Sequence, residues 1–159
     1  MKKISKGLMT VILLMGAVYL MGPRVETPIL DPAMPQVPQE LSSLATYVEN
    51  NEAALPNIKP GNQAVLHFYD SIPQKTKYAI LYYHGFTASP VEGDPVYKDI
   101  AQALGANLFV PRLYGHGLEE EEPMLNFHND PYWKSAKEAL AIAKTLGEKV
   151  IILATSHGS

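Results

Sequence analysis

From residue 64 onward two apolar rhythms alternate along the chain. The stretch "AVLHFY" (64–69) switches between apolar and polar and predicts a half-buried strand. "YAILYYHG" (78–85) is nearly continuous in apolar residues, the pattern of a strand covered on both faces. "DPVYKDIAQALG" (94–105) shifts to helical spacing, with Val96, Ile100, Ala103 and Leu104 on one face, Asp94 as cap, Pro95 at the first helical position and Gly105 as stop. "ANLFVP" (106–111) predicts the next strand. "DPYWKSAKEALAIAKTLG" (130–147) repeats the helical grammar: Asp130 caps, Gly147 closes, and Trp133, Ala136, Leu140, Ala143 and Leu146 form the stripe. "KVIILA" (149–154) predicts a last strand. Strand and helix in turn, at these lengths, predict an α/β fold with a mostly parallel sheet and crossover helices.

Upstream the rhythm is different. "LMTVILLMGAVYLMG" (8–22) carries no charge and has no polar face, and it follows the basic start "MKKISKG". This is the pattern of a secretory signal or a hydrophobic anchor helix. A cleavage site after Gly22 would have Leu20 at −3 and Pro23 beyond it, so residues 1–22 read as an uncleaved signal anchor or transmembrane segment, with cleavage and secretion as the alternative. The lysines favour a cytoplasmic start, which puts the remainder on the extracytoplasmic side, periplasmic or extracellular. Residues 23–60 read as a proline-rich tether and a short helix over 39–54, with Leu41, Leu44 and Val48 on one face and Pro38 at its first turn. Residues 61–159 form the globular part.

The chain of 159 residues is 47% apolar, enough for one domain with a core, and its formal net charge of −3 gives no nucleic-acid surface. With no cysteine there is no disulfide framework, thiolate metal site or lipidated cysteine. His67, His84, His116 and His128 lie on separate segments without a short ligand spacing, so no metal and no cofactor is expected. The four glutamates of "GLEEEEP" read as a solvated loop.

The candidate chemistry sits at the end of the last strand, in "ATSHGS". A strand that ends small-x-Ser-x-Gly fits a strand-to-helix turn so tight that the positions two before and two after the serine nearly touch. Here those positions are Ala154 and Gly158, which makes Ser156 the candidate nucleophile. Ser159 is a poorer candidate, because His157 stands two before it. The loop "HGFTASP" after the earlier buried strand is a source of a backbone N–H for a developing oxyanion, with His84 and Gly85 shaping the loop and the Phe86 amide as donor. The partner donor would be the amide of His157. A third stretch, "PRLYGHG", follows "ANLFV".

In that order, each after a predicted strand, "HGFTASP", "PRLYGHG" and "ATSHGS" resemble the α/β-hydrolase superfamily, most closely its carboxylesterase and monoacylglycerol-lipase-like (serine aminopeptidase-like) branch. The resemblance spans roughly Ala64 to Ser159. It implies an ester-cleaving serine hydrolase with Ser156 as nucleophile and the Phe86 and His157 amides as oxyanion hole. It gives Gly115, His116 and Gly117 a structural rather than a catalytic part. It also implies a small-molecule ester substrate and a triad acid and base on loops after later strands. No residue before Ser156 matches those two positions, and the ring of His157, inside the turn, would point away from the serine oxygen. The sequence therefore reads as an incomplete, amino-terminal half of the fold, a fragment expected to be inactive alone. The alternative reading is a non-catalytic binding or scaffold protein on the same fold. A nucleotide-binding domain lacks its glycine-rich loop, since neither Gly-x-Gly-x-x-Gly nor Gly-x-x-x-x-Gly-Lys occurs.

Overall fold

The computed structural model describes residues 6–22, 24, 27, 28, 30–119, 125 and 127–156. The elements run α1 (Lys6–Met21), α2 (Leu41–Ala53), β1 (Val65–His67), β2 (Thr76–Tyr83), α3 (Val96–Leu104), β3 (Asn107–Val110), α4 (Asn129–Leu146) and β4 (Gly147–Ala154). The four strands form one sheet in the order β1-β3-β2-β4. β2 pairs in parallel with β3 and with β4, and β1 closes the far edge antiparallel to β3. The α/β class and the mostly parallel sheet expected from the sequence are both present.

The strand order dictates where the helices lie. From β2 the chain crosses to β3 on one side, then returns past β2 to reach β4 on the other. Crossovers between parallel strands are right-handed, so two crossovers in opposite directions put their helices on opposite faces. Accordingly Ile80 and Tyr82 of β2 pack with Leu108, Val110 and the α3 residues Tyr97 and Ala101. Ala79 and Leu81, pointing the other way, pack with Phe109 and with Ala139, Ile142, Ala143 and Leu146 of α4. Leu44 and Val48 of α2 join this second layer, as their spacing predicts. β2 is thus buried on both sides, which is why its sequence shows no alternation.

At the opposite end of the strands from the loops that carry the motifs, one polar side chain fastens three segments. Asn107 at the start of β3 is 1% exposed. Its Nδ2 donates to the carbonyls of Gln74 and of Leu146, both at 2.8 Å, and its Oδ1 accepts the N–H of Tyr69 at 2.9 Å.

Several element boundaries differ from expectation. β1 is three residues long rather than six. Asp94 does not cap α3; Pro95 stands at that position, and Asp94 pairs with Lys98 one turn on at 2.8 Å. Tyr97 and Ala101 form the buried face of α3, while Val96 and Leu104 are exposed, because the sheet meets the helix about one residue round from the predicted stripe. α4 starts at Asn129 with His128 as cap, so Asp130 lies inside its first turn, while Gly147 caps the end of the helix as expected and also opens β4. Trp133 is 38% exposed and outside the core, where Ala139 and Ile142 join the predicted Ala143 and Leu146 on the inner face.

The proline-rich segment is not a free tether over its whole length. Lys137 of α4, 7% exposed, donates to the carbonyls of Asp31 and Ala33 at 2.5 and 2.6 Å, and Trp133 Nε1 donates to Asp31 at 3.0 Å. Val37 is buried in the α4 layer. Residues 31–39 are therefore laid against α4.

The expected anchor forms a helix, but α1 has 16 residues, or about 24 Å at the α-helical rise. That is short of the roughly 30 Å hydrocarbon core. Among the described residues no helix is long and apolar enough to cross a membrane. None of the α1 residues is buried against the domain.

Asn107→Ala should leave two carbonyls and one amide without their partner. At about 1–3 kcal/mol for each buried polar group orphaned, with partial rescue by water, a loss of roughly 3 kcal/mol is expected. Urea unfolding measures it, and a loss below about 1 kcal/mol would show that the three segments are held by other contacts.

Candidate active site at the carboxyl ends of the parallel strands

Tyr83, Val110 and Ala154 end the three parallel strands, and the loops that follow carry the three motifs. The sheet brings the loops together at one end because the strands run the same way. β2 and β4 are also neighbours in the order where the crossover direction reverses. In open α/β sheets, that switch point is where ligands bind.

Ser156 lies two residues beyond β4. Its φ is +52°, and among the described residues it is the one non-glycine with positive φ. A left-handed backbone costs a side-chain-bearing residue of the order of 1 kcal/mol or more. The strand leads into it without slack: Tyr83 pairs with Ala154, and the Thr155 N–H donates to the Tyr83 carbonyl at 3.0 Å. Ala154 and Ser156 are exposed. His157, Gly158 and Ser159 lie outside the described residues, so the expected second donor and the second small position of the turn carry no geometry.

The loop after β2 is held from several directions. His84 is fully buried. Its Nε2 accepts the N–H of Leu113 at 3.2 Å, which places the proton on Nδ1, 2.9 Å from the Gly85 carbonyl. The same carbonyl accepts the Ala88 N–H at 3.1 Å. A trans peptide points its C=O and N–H in opposite directions, so fixing the Gly85 carbonyl fixes the direction of the Phe86 N–H. The next carbonyl, that of Phe86, lies against His116 Nε2, while Nδ1 of the same ring meets the Tyr114 carbonyl at 2.7 Å.

Glycines on either side of His116 make this reach possible. Gly115 and Gly117 have φ of +75° and +67°, which turns the loop back so that the His116 ring faces the neighbouring loop. Arg112 secures the loop from the other side. It makes a two-pronged ion pair with Glu52 of α2 (3.1 and 3.2 Å) and donates to the His116 carbonyl at 3.1 Å. The structural part expected for Gly115, His116 and Gly117 thus has a geometry. The histidines read as separate in sequence are partly gathered, with the His84 and His116 rings 4.9 Å apart. Their nitrogens face backbone groups, and among the described residues no group of three or more potential ligands could hold a metal ion.

Gly85 faces a close neighbour that the sequence does not display. Its φ is not in the left-handed region. A Cβ there would lie 3.2 Å from Glu92 Oε1, so the glycine makes room for a carboxylate seated over the backbone. Glu92 Oε2 accepts the Gly85 N–H at 2.8 Å and the Tyr82 hydroxyl at 2.9 Å. Tyr82 in turn lies 2.9 Å from Thr155 Oγ1, beside Ser156. Nothing in the local pattern of "SPVEGDP" marks Glu92, because its partners come from β2 and β4.

A cavity of about 590 Å³ opens elsewhere, between α2, α4 and the 111–118 loop, and its lining includes none of Ser156, Phe86 and His84. Compared with models of known protein families and with curated proteins, the chain matches none.

Burial is the main influence on the His84 imidazole and pushes it down to about 4; contact with the Gly85 carbonyl opposes this, and the nearby His116 reinforces it. The ring is neutral at physiological pH, as its acceptor bond from Leu113 requires. Between its ordinary 6.5 and about 4, the unfolded chain binds a proton that the folded one refuses. Stability should therefore fall as pH drops through this window, by up to about 3 kcal/mol from this group. Urea midpoints at pH 7 and pH 4.5 should separate more in the parent than in His84→Gln. Equal separations would show that His84 is protonated in the fold.

Proposed function

We propose that the protein is a serine hydrolase acting on carboxylic esters, with Ser156 as nucleophile. The observation that carries this reading is the left-handed backbone of Ser156 at the end of β4. A strained residue of this kind persists only where the surrounding structure demands it, and a sharp turn that lifts a serine above a parallel sheet is the known way to expose such a nucleophile. The position at the switch point beside the β2 loop supports the same reading.

In this reading the Ser156 oxygen attacks the carbonyl carbon of the ester while its proton passes to a histidine base. The charge that develops on the carbonyl oxygen is met by the backbone N–H groups of Phe86 and His157, which act where charge appears and not on the ground state. Collapse of the tetrahedral adduct leaves an acyl group on Ser156 and releases the alcohol, which takes the proton back from the base. Water then repeats the sequence to free the acid. The triad acid and base are not assigned to residues of this chain. The superfamily membership of the sequence resemblance belongs to the same proposal.

We further assign residues 8–22 to a membrane, with the hydrolase domain on the extracytoplasmic side. Support comes from α1, whose surface beyond Lys6 is uncharged and unburied. After carbonate washing, a carboxy-terminally tagged protein should stay with the membrane fraction. Recovery only in the cytosol would refute export, and a soluble exported product of lower mass would show cleavage instead.

Ester hydrolysis tests the nucleophile. With p-nitrophenyl butyrate, Ser156→Ala in a protein that carries the triad acid and base together with this chain should reduce turnover by at least about 10³-fold, since loss of a triad member removes most of the catalytic advantage. Gly158→Val should do the same by spoiling the turn, because a branched side chain does not fit the crowded corner. Ser159→Ala should leave turnover unchanged. Activity retained in Ser156→Ala and lost in Ser159→Ala would move the site by one turn of the chain.

A further inference from the structure

We propose that Glu92 is a positioning residue that sets the oxyanion-binding loop relative to the nucleophile, an inference that rests on the serine hydrolase reading above. The network has a fixed sense. A carboxylate accepts only, so both the Gly85 N–H and the Tyr82 O–H point their hydrogens at Oε2. Tyr82 has a single hydroxyl hydrogen and has used it on Glu92. In its contact with Thr155 the threonine hydroxyl must then be the donor. The chain of bonds runs from Thr155 to Tyr82 to Glu92, and Gly85 donates to the same oxygen. Burial, above all, raises the Tyr82 phenol, and the Glu92 charge adds to the rise, so the phenol keeps its proton and the sense of the chain is stable.

The two ends of this chain are the two halves of the site. Thr155 immediately precedes Ser156. Gly85 supplies the peptide whose N–H belongs to Phe86. The backbone pairing of β2 and β4 already fixes the strand ends, with the Thr155 N–H on the Tyr83 carbonyl. The side-chain network adds a tie beyond the strands on the His84–Gly85 peptide, next to the Gly85–Phe86 peptide whose carbonyl is held by His84 and the Ala88 N–H. A hydrogen bond to a charged group contributes more than one between neutral groups, which makes a carboxylate the effective choice for holding an amide. His84 and His116 also hold this loop, through its carbonyls, whereas Glu92 holds the Gly85 amide hydrogen.

An amide that helps only in the transition state changes kcat and leaves KM unchanged when it is misdirected. Deleting an oxyanion donor costs about 10²–10³ in kcat, and tilting one should cost part of that, about 10-fold. The full-length protein, Glu92→Gln, Glu92→Ala and Tyr82→Phe are compared in two measurements. The first is the amide NMR signal of Gly85, which reads the tie without any need for catalysis. In the parent it should lie downfield, as a hydrogen bond to a carboxylate requires; in Glu92→Ala it should return upfield, and in Glu92→Gln it should move part of the way. The second is steady-state hydrolysis of p-nitrophenyl butyrate, where Glu92→Ala should lower kcat about 10-fold at unchanged KM, Glu92→Gln less because its amide oxygen still accepts, and Tyr82→Phe by an intermediate amount.

Loss of the Gly85 signature with kcat intact would overturn the positioning role, as would a Gly85 signal indifferent to Glu92. A fall in kcat matched by a rise in KM or by lost thermal stability would also overturn it, in favour of a merely structural part. If the parent shows no esterase activity while its Gly85 signal responds to Glu92 as described, the tie stands and the hydrolase reading fails.

Discussion

The parallel pairing of β2 with β4 is the constraint on which the remainder depends. Seven residue pairs run from Thr76–Gly147 to Tyr83–Ala154, and both strands end in register. This register needs Gly147, since a Cβ there would come within 2.5 Å of the Ala79 amide nitrogen. Because the strands end together, their exit loops start side by side, and the Thr155 N–H, next to Ser156, donates to the Tyr83 carbonyl just ahead of "HGF". The reversal of crossover direction at β2 then buries both faces of the two central strands, β2 and β3.

Above that end, polar contacts take over from apolar packing. The β2 loop is held through its carbonyls by two buried histidines and through one amide by Glu92. The β3 loop is held by Arg112, whose ion pair with Glu52 carries the restraint back to α2, and Glu52 also accepts the Ala64 N–H at the start of β1. The side-chain partners at the site thus come from β2, the two loops and an amino-terminal helix.

The two central strands were legible because burial on both faces leaves a continuous apolar record, as in Ala79–Tyr82 and Leu108–Val110. The left-handed Ser156 falls in the stretch that small neighbours single out in the sequence; Ala154 is described, and Gly158 lies outside the described residues. Helix starts were less legible, since Asp94 and Asp130 each stand one or two residues from the capping position they resemble, and α3 shows Tyr97 to the sheet where apolar spacing alone favours Val96. The docking of residues 31–39 on Lys137 and Trp133 was not legible, because backbone carbonyls carry no sequence signal and their partners lie about a hundred positions away. The same holds for Glu92, whose meaning depends on Tyr82 and Thr155.

The central claim is that the strained residue at the end of β4 is a nucleophile. Mass mapping after treatment of the full-length protein with a fluorophosphonate tests it most directly. The account predicts one adduct, on the peptide containing Thr155 and Ser156, with fragmentation placing it on the Ser156 oxygen. An adduct on Ser159, on another serine, or at several sites with equal yield would contradict it.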